Sequence, residues 1–242
     1  MTPAPPILEQ LGGDAKRSYV RQMFTAIAPR YDLLNHVLSL NIDRFWRRRA
    51  VRALRWPEEA AGRYLDLCAG TLDLGIELAR QPGFRGSVLG VDFVVPMLRL
   101  GHAKAKQVLA VGGDALGLPF PDRSFDGCMV GFGIRNLADL DRGLGEIARV
   151  LKRAGRVVIL EFSTPRIWPV RPLYRFYFRR VLPLIGRFVS KHTTAYDYLP
   201  DSVDRFPSPS ALAARMRNAG FVDVRFESLS LGIVALHYGV RA

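Results

Sequence analysis

The chain has 242 residues, 49% of them hydrophobic, with two cysteines and a formal charge of +13. That length buries a core without staples, and Cys68 and Cys128 lack metal-ligand spacing, which argues against a disulfide scaffold or a metal module. No apolar run approaches the roughly 18 residues of a membrane span, while the cation excess, drawn from 35 basic residues of which all but five are arginine, favours an anionic partner such as a phospholipid surface, a nucleic acid or an acidic protein.

Residues 1–16 are rich in Pro and Gly and read as loose. Met1-Thr2-Pro3-Ala4-Pro5-Pro6 is not a charged-then-apolar leader, so the expected location is cytoplasmic or peripheral at the inner face of a membrane. From Tyr19 to Leu54 the pattern is helical, broken at Pro29. Arg44, Arg47, Arg48, Arg49 and Arg52 crowd its end around Phe45 and Trp46. They read as a solvated face with both aromatics packed inward, or as a cap over a pocket. Residues 1–60 are thus expected to form a helical cap, and 61–242 the main domain.

An alternation follows. Strands are expected at Tyr64–Leu67, Ser87–Val91, Val108–Val111, Phe125–Val130 and Arg156–Glu161, and helices at Asp73–Arg80, Val95–Lys106 and Asp139–Leu151. That alternation predicts a parallel sheet covered on both faces. Right-handed crossovers put the strand C-termini on one edge, where ligands bind. Asp66, Asp92, Asp114, Gly131 and Glu161 all fall there.

Residues 163–200 interrupt the pattern with an aromatic, basic, helix-prone stretch, Arg166 to Arg180. It is expected to lie over or beside the binding edge as a lid or an interfacial helix, since arginine stems snorkel beside aromatics. Ser208 and Pro209 start a helix that Gly220 closes. Val222–Ser228 and Ile233–Val240 then read as an antiparallel pair. A parallel sheet finished by an antiparallel hairpin suggests a methyltransferase more than a dehydrogenase.

The turn Cys68-Ala69-Gly70-Thr71-Leu72 points the same way. A dinucleotide fingerprint needs G-x-G-x-x-G to seat a pyrophosphate, and Gly70 and Gly75 miss that spacing. S-adenosylmethionine carries no phosphate and asks only for close backbone approach, which Gly70 permits. Asp92 is placed to accept from both ribose hydroxyls. Asp114 is placed to accept from an adenine amino group, with Ala115 offering its amide.

Several separated motifs then carry a resemblance. Tyr31-Asp32-Leu33-Leu34-Asn35 with Arg44-Phe45-Trp46-Arg47, Phe132-Gly133-Ile134-Arg135-Asn136, Leu160-Glu161-Phe162-Ser163-Thr164-Pro165, Tyr198-Leu199-Pro200 and Gly232-Ile233-Val234-Ala235-Leu236-His237-Tyr238-Gly239 resemble the ubiquinone/menaquinone biosynthesis C-methyltransferases over residues 19–240. The resemblance implies an α/β class I S-adenosylmethionine-dependent methyltransferase fold and a polyprenyl quinol acceptor. It implies that Thr71, Asp92, Asp114, Ala115 and Gly131 touch the cofactor. Leu72 stands where the family has glycine, Gly131 where it has serine, and Lys191-His192 where Gly-Asp is common. Leu72 is the serious departure, because its side chain is expected to compete for cofactor space.

A quinol carbon attacks a sulfonium methyl once the neighbouring hydroxyl loses its proton. Arg135 and Asn136 are the first candidates to favour that phenolate, and His192 is the candidate base. Tyr196 is a second hydroxyl, whereas His237 reads as structural. Arginines with Trp168, Tyr174, Phe176 and Phe178 are expected to meet an anionic membrane surface. Nucleic acid is not an expected partner, no metal is expected, and the sequence leaves homo-oligomer formation open. Two alternatives remain: a non-catalytic scaffold that has lost cofactor affinity through Leu72, and a methyltransferase of another phenolic molecule.

Overall fold

The computed structural model describes residues 13–165, 167–181 and 194–242. Among them the strands are β1 (Arg63–Leu67), β2 (Ser87–Asp92), β3 (Val108–Gly112), β4 (Phe125–Gly131), β5 (Leu151–Phe162), β6 (Phe221–Leu229) and β7 (Val234–Arg241). They form one sheet in the order β3-β2-β1-β4-β5-β7-β6. β1 to β5 pair in parallel, and β7 runs antiparallel to both β5 and β6. This is the class I methyltransferase arrangement that the alternation and the terminal hairpin led to. The switch point lies between β1 and β4, where ligands gather in open α/β sheets.

The helices are α1 (Gly13–Ile27), α2 (Tyr31–Ser39), α3 (Ile42–Ala53), α4 (Asp73–Ala79), α5 (Val95–Lys104), α6 (Leu140–Val150), α7 (Val170–Phe176), α8 (Thr194–Arg205) and α9 (Pro209–Asn218). Leu144 and Ile147 of α6 and Leu212 and Met216 of α9 join the core on one sheet face. Trp46 and Ala50 of α3, Leu74 and Leu78 of α4 and Leu98 of α5 build the other. Ser208 caps α9 by accepting from the Ala211 amide, and Gly220 leaves it at φ 93°.

Four details differ from the sequence reading. The N-terminal helix starts at Gly13, inside the stretch read as loose. A second break follows the one at Pro29, where Leu40 and Asn41 both take left-handed angles. β5 starts at Leu151 rather than Arg156, because a register shift against Phe125 and Gly127 absorbs the Arg153-Ala154-Gly155 turn into the strand. Finally, only Trp46 packs inward, while Phe45 is 53% exposed. The helix period separates these adjacent residues by about 100°, so one apolar stripe holds only one of them.

Candidate functional site

β1 runs into the turn 68–72, and α4 leaves it. Gly70 sits at φ 53°, and its amide donates to Asp92 Oδ2 at 2.8 Å. Asp92 Oδ1 accepts from the Val94 amide at 2.8 Å. These bonds lock the end of β2 against the first turn. Each carboxylate oxygen keeps a further lone pair for a ligand hydroxyl. Burial pushes the Asp92 carboxyl up, against the amides of Val94 and Gly70 that draw it down.

Asp66, read as part of the ligand edge, serves the fold instead. Its Oδ2 accepts from the Gly75 amide at 2.8 Å, tying α4 to β1. Burial pushes its carboxyl up to about 8. Thr71 is also buried, and its hydroxyl donates to Asp32 Oδ1 of α2 at 2.5 Å. Lys104 bridges Asp32 and Asp73, and Arg47 bridges Asp73 and Asp43. Alternating charges thus fasten α2 and α3 to the turn 68–72 and the start of α4. Within this chain burial raises Asp43, but the Ser39 hydroxyl, Arg47 and His36 hold it below the usual carboxylate range.

Leu72 corrects the central expectation. It takes φ 65°, ψ 15°, the left-handed region that glycine prefers. Its side chain does not compete for cofactor space: it is fully buried in the core among α4, α5 and β2. Two glycines make the room. A Cβ on Gly101 would lie 2.7 Å from Leu72 Cγ, and one on Gly90 would overlap Leu72 Cδ2. The scaffold alternative rested on a blocked loop and loses that support.

Asp92, Asp114, Ala115 and Asn136 line one small cleft at the sheet edge, together with Leu67 and Leu137. The cleft holds about 20 Å³, because α1 lies across it. Arg17 of α1 pairs with Asp114, and Lys16 donates to the Leu137 carbonyl at 2.6 Å. The donor set suits S-adenosylmethionine: two carboxylates for hydroxyls and an amino group, and no nest of glycine amides for phosphate. Gly131 lines neither this cleft nor the larger cavity; a side chain there would begin 3.3 Å from Leu74 Cδ2. Among the described residues no cluster of metal-ligating side chains occurs.

A second cavity of about 310 Å³ lies under α1, α2 and α3. Leu34, Phe132, Phe162 and Tyr174 give it an apolar wall, and Tyr31 borders it from beside Gly70, 3.9 Å from where a Cβ would stand. The cation on its wall beside the β4 and β5 ends is Arg135, whose side chain is 7% exposed. Arg135 Nη1 donates to Glu161 Oε1 at 2.7 Å and to the Phe132 carbonyl. Its Nε donates to Ser202 Oγ at 3.3 Å, and the guanidinium lies 5.5 Å over the Phe162 ring. Arg135 lines both this cavity and the neighbouring cleft around Lys16, Ser202 and Arg205, so its guanidinium stands between the two spaces.

Asn136 joins the two spaces. It lines the small cleft, and its Oδ1 accepts at 2.8 Å from Tyr198 Oη on the cavity wall. Tyr198 of α8 reaches the site; the side chain of Tyr196 and residue His192 lie outside the described ones. His237 is structural: Nε2 meets the Pro209 carbonyl at 2.9 Å, and burial pushes the ring down to about 4. The sequence reading missed Glu161 as the counterion of Arg135 and Arg17 as the partner of Asp114. An acid inside the apolar run Val157–Phe162 was a usable signal for the first. Nothing local marks the second.

The family model described as the ubiE/COQ5 methyltransferase family matches residues 13–241. The chain is 49% identical over 224 residues to the demethylmenaquinone methyltransferase of Thermus thermophilus, covering 90% of this chain and 100% of that protein. It is 45% identical over 232 residues to the ubiquinone/menaquinone biosynthesis C-methyltransferase UbiE of Geobacter sulfurreducens, covering 93% and 90%. Its fold is similar to that of a SAM-dependent methyltransferase of Thermotoga maritima, with TM-score 0.62 at 20% identity over 91% of this chain and 99% of that one.

Proposed function

The chain belongs to the ubiE/COQ5 methyltransferase family, and from this premise we propose that it transfers a methyl group from S-adenosylmethionine to a ring carbon of a polyprenyl quinol in menaquinone or ubiquinone biosynthesis. The observation that carries this reading is the apolar cavity beside the Gly70 turn, with the guanidinium of Arg135 on its wall. An aromatic ring with an isoprenoid tail needs apolar walls, and a ring hydroxyl losing its proton needs a nearby cation.

Asp92, Asp114 and the Gly70 backbone would hold the cofactor, with Ala115 and Asn136 completing the cleft. When bound, it supplies an electrophilic methyl on a sulfonium. The remaining work belongs to the chain. Phe132, Phe162 and Tyr174 confine the ring, and holding reactants in near-attack geometry can contribute roughly 7–11 kcal/mol. The guanidinium of Arg135 on the cavity wall would favour the phenolate over the phenol, and it is the loss of the hydroxyl proton that raises the electron density of the neighbouring carbon. A guanidinium keeps its own proton, so the part of Arg135 is electrostatic. Glu161 holds Arg135 in place and is itself consumed in that ion pair. Thr71, through Asp32, keeps the turn and the cavity in register.

Quinone profiling of a strain lacking the gene tests the reading. Accumulation of a demethylated quinone, with the ring system naming the substrate, is expected. An unchanged profile would count against it.

A further inference from the structure

The mouth of the apolar cavity carries side chains that folding does not bury. Leu40 and Ile42 line the cavity yet are 77% and 42% exposed, so they mark its opening. Ser230 lines it as well, and the next residue, Leu231, is 62% exposed. Trp46 Nε1 donates to Ser230 Oγ at 2.8 Å, which holds this turn against α3. Leu40 and Leu231 both take left-handed backbone angles, φ 52° and 60°. That conformation disfavours any residue with a Cβ. Neither leucine gains burial in return, so local folding explains neither.

The surroundings continue the pattern. Phe45 follows Ile42 by three residues on one face of α3 and is exposed. α7 turns Tyr174 into the cavity and Leu173 and Phe176 outward. Tyr177, just beyond α7, donates to the Leu38 carbonyl at 2.9 Å and so fixes that helix beside the end of α2. This revises the expected surface: Tyr174 faces inward, and the side chain of Phe178 lies outside the described ones. Arg44 and Arg48 stand exposed on α3 beside the apolar patch, Arg48 with Nε 3.8 Å from Glu77 Oε1. Clustered exposed apolar side chains at one opening mark an interaction site, and the arginines with the +13 charge select a negative partner. Among the described residues no helix is long and apolar enough to cross a membrane.

We infer that this mouth docks on the surface of a bilayer containing anionic lipid, so that the acceptor's prenyl tail passes from the leaflet into the cavity without crossing water. Leu40, Leu231, Phe45, Leu173 and Phe176 enter the acyl boundary, while Arg44 and Arg48 remain among the headgroups. The inference rests on the quinol reading above and names where that substrate enters.

Flotation of the full chain with phosphatidylcholine vesicles, with and without phosphatidylglycerol, is the test. Wild type should float with the anionic vesicles. Phe45→Ser/Leu231→Ser, which alters no cavity-lining side chain, should float at least about tenfold less. It should methylate a detergent-free short-chain quinol as wild type does, and a long-chain quinol in vesicles at least about tenfold more slowly. Circular dichroism confirms that the variant is folded; should it not fold, Arg44→Glu/Arg48→Glu carries the same expectation. Wild type that methylates the short-chain quinol but ignores vesicles overturns the docking inference alone. So does a wild-type dimer that Phe45→Ser/Leu231→Ser dissociates, since a second copy then covers the face. Failure to methylate either quinol overturns the reading beneath it.

Discussion

The δ-methyl of Leu72 occupies the space that a Cβ on Gly90 would need. A leucine in a glycine's backbone conformation is thereby matched by a glycine in the neighbouring strand. The left-handed angle costs about 1–2 kcal/mol, and burial of the side chain offsets it with about 1.5–3 kcal/mol. Leu72→Gly should therefore destabilise. Emptying a leucine site costs about 2–5 kcal/mol, less the strain relieved, so a net loss of about 1–3 kcal/mol is expected in urea unfolding. Calorimetry should find S-adenosylmethionine affinity nearly unchanged. A large gain in affinity would return Leu72 to the cofactor site.

Arg135 and Glu161 form a buried pair, and removing one partner strands the other's charge. Glu161→Gln should lower stability by about 3–5 kcal/mol and should also lower kcat. Arg135→Met combined with Glu161→Gln removes both charges and should restore part of the stability. It should leave kcat about 10²–10³-fold down, the usual cost of losing an oxyanion donor. Recovery of turnover in the double variant would show that Arg135 acts only through folding.

Stability should depend on pH chiefly through two buried groups. The Asp66 carboxyl is raised to about 8, so its contribution is complete below its unfolded value and is lost as pH rises through 8. His237 is lowered to about 4, so its contribution is complete above its unfolded value and is lost as pH falls through 4. From about pH 4 to 6.5 the two slopes oppose. From 6.5 to 8 Asp66 should lower stability by about 2 kcal/mol, and Asp92, whose carboxyl burial also raises, works in the same direction. Asp66→Asn keeps an acceptor for the Gly75 amide and should abolish the Asp66 share of that fall in denaturant titrations. A fall that persists undiminished would assign it to another group.

With S-adenosylmethionine placed as proposed, Arg17 would compete with it for Asp114. Both side chains are partly exposed, so their pairing contributes about 0–1 kcal/mol. Arg17→Ala should tighten S-adenosylmethionine binding by up to about fivefold, whereas Asp114→Ala should weaken it. Weaker binding in Arg17→Ala would mean that Arg17 contacts the ligand rather than blocking it.

Much of this arrangement was legible in the chain. Strand–helix alternation and the terminal hairpin led to the sheet, because period and element length report directly on burial. Asp92 beside Gly70 was also legible, since acids at strand ends meet wherever parallel strands neighbour each other. Three features were not. The direction of Leu72 depends on Gly90 and Gly101, one on the next strand and one on a later helix. The Arg17–Asp114 pair spans 97 positions, and no local pattern encodes such a partner. The exposed Phe45 was masked by the buried Trp46, whose helical phase only the position of α3 on the sheet could set.

The most direct measurement is methyl transfer itself. The full chain, methyl-labelled S-adenosylmethionine and a reduced demethylated quinone analogue are combined, and the product is read by mass spectrometry and carbon NMR. Label bonded to a ring carbon, strongly reduced in Arg135→Met/Glu161→Gln, is the predicted result. Label on oxygen, or no transfer by a chain that calorimetry shows to bind S-adenosylmethionine, would contradict the account.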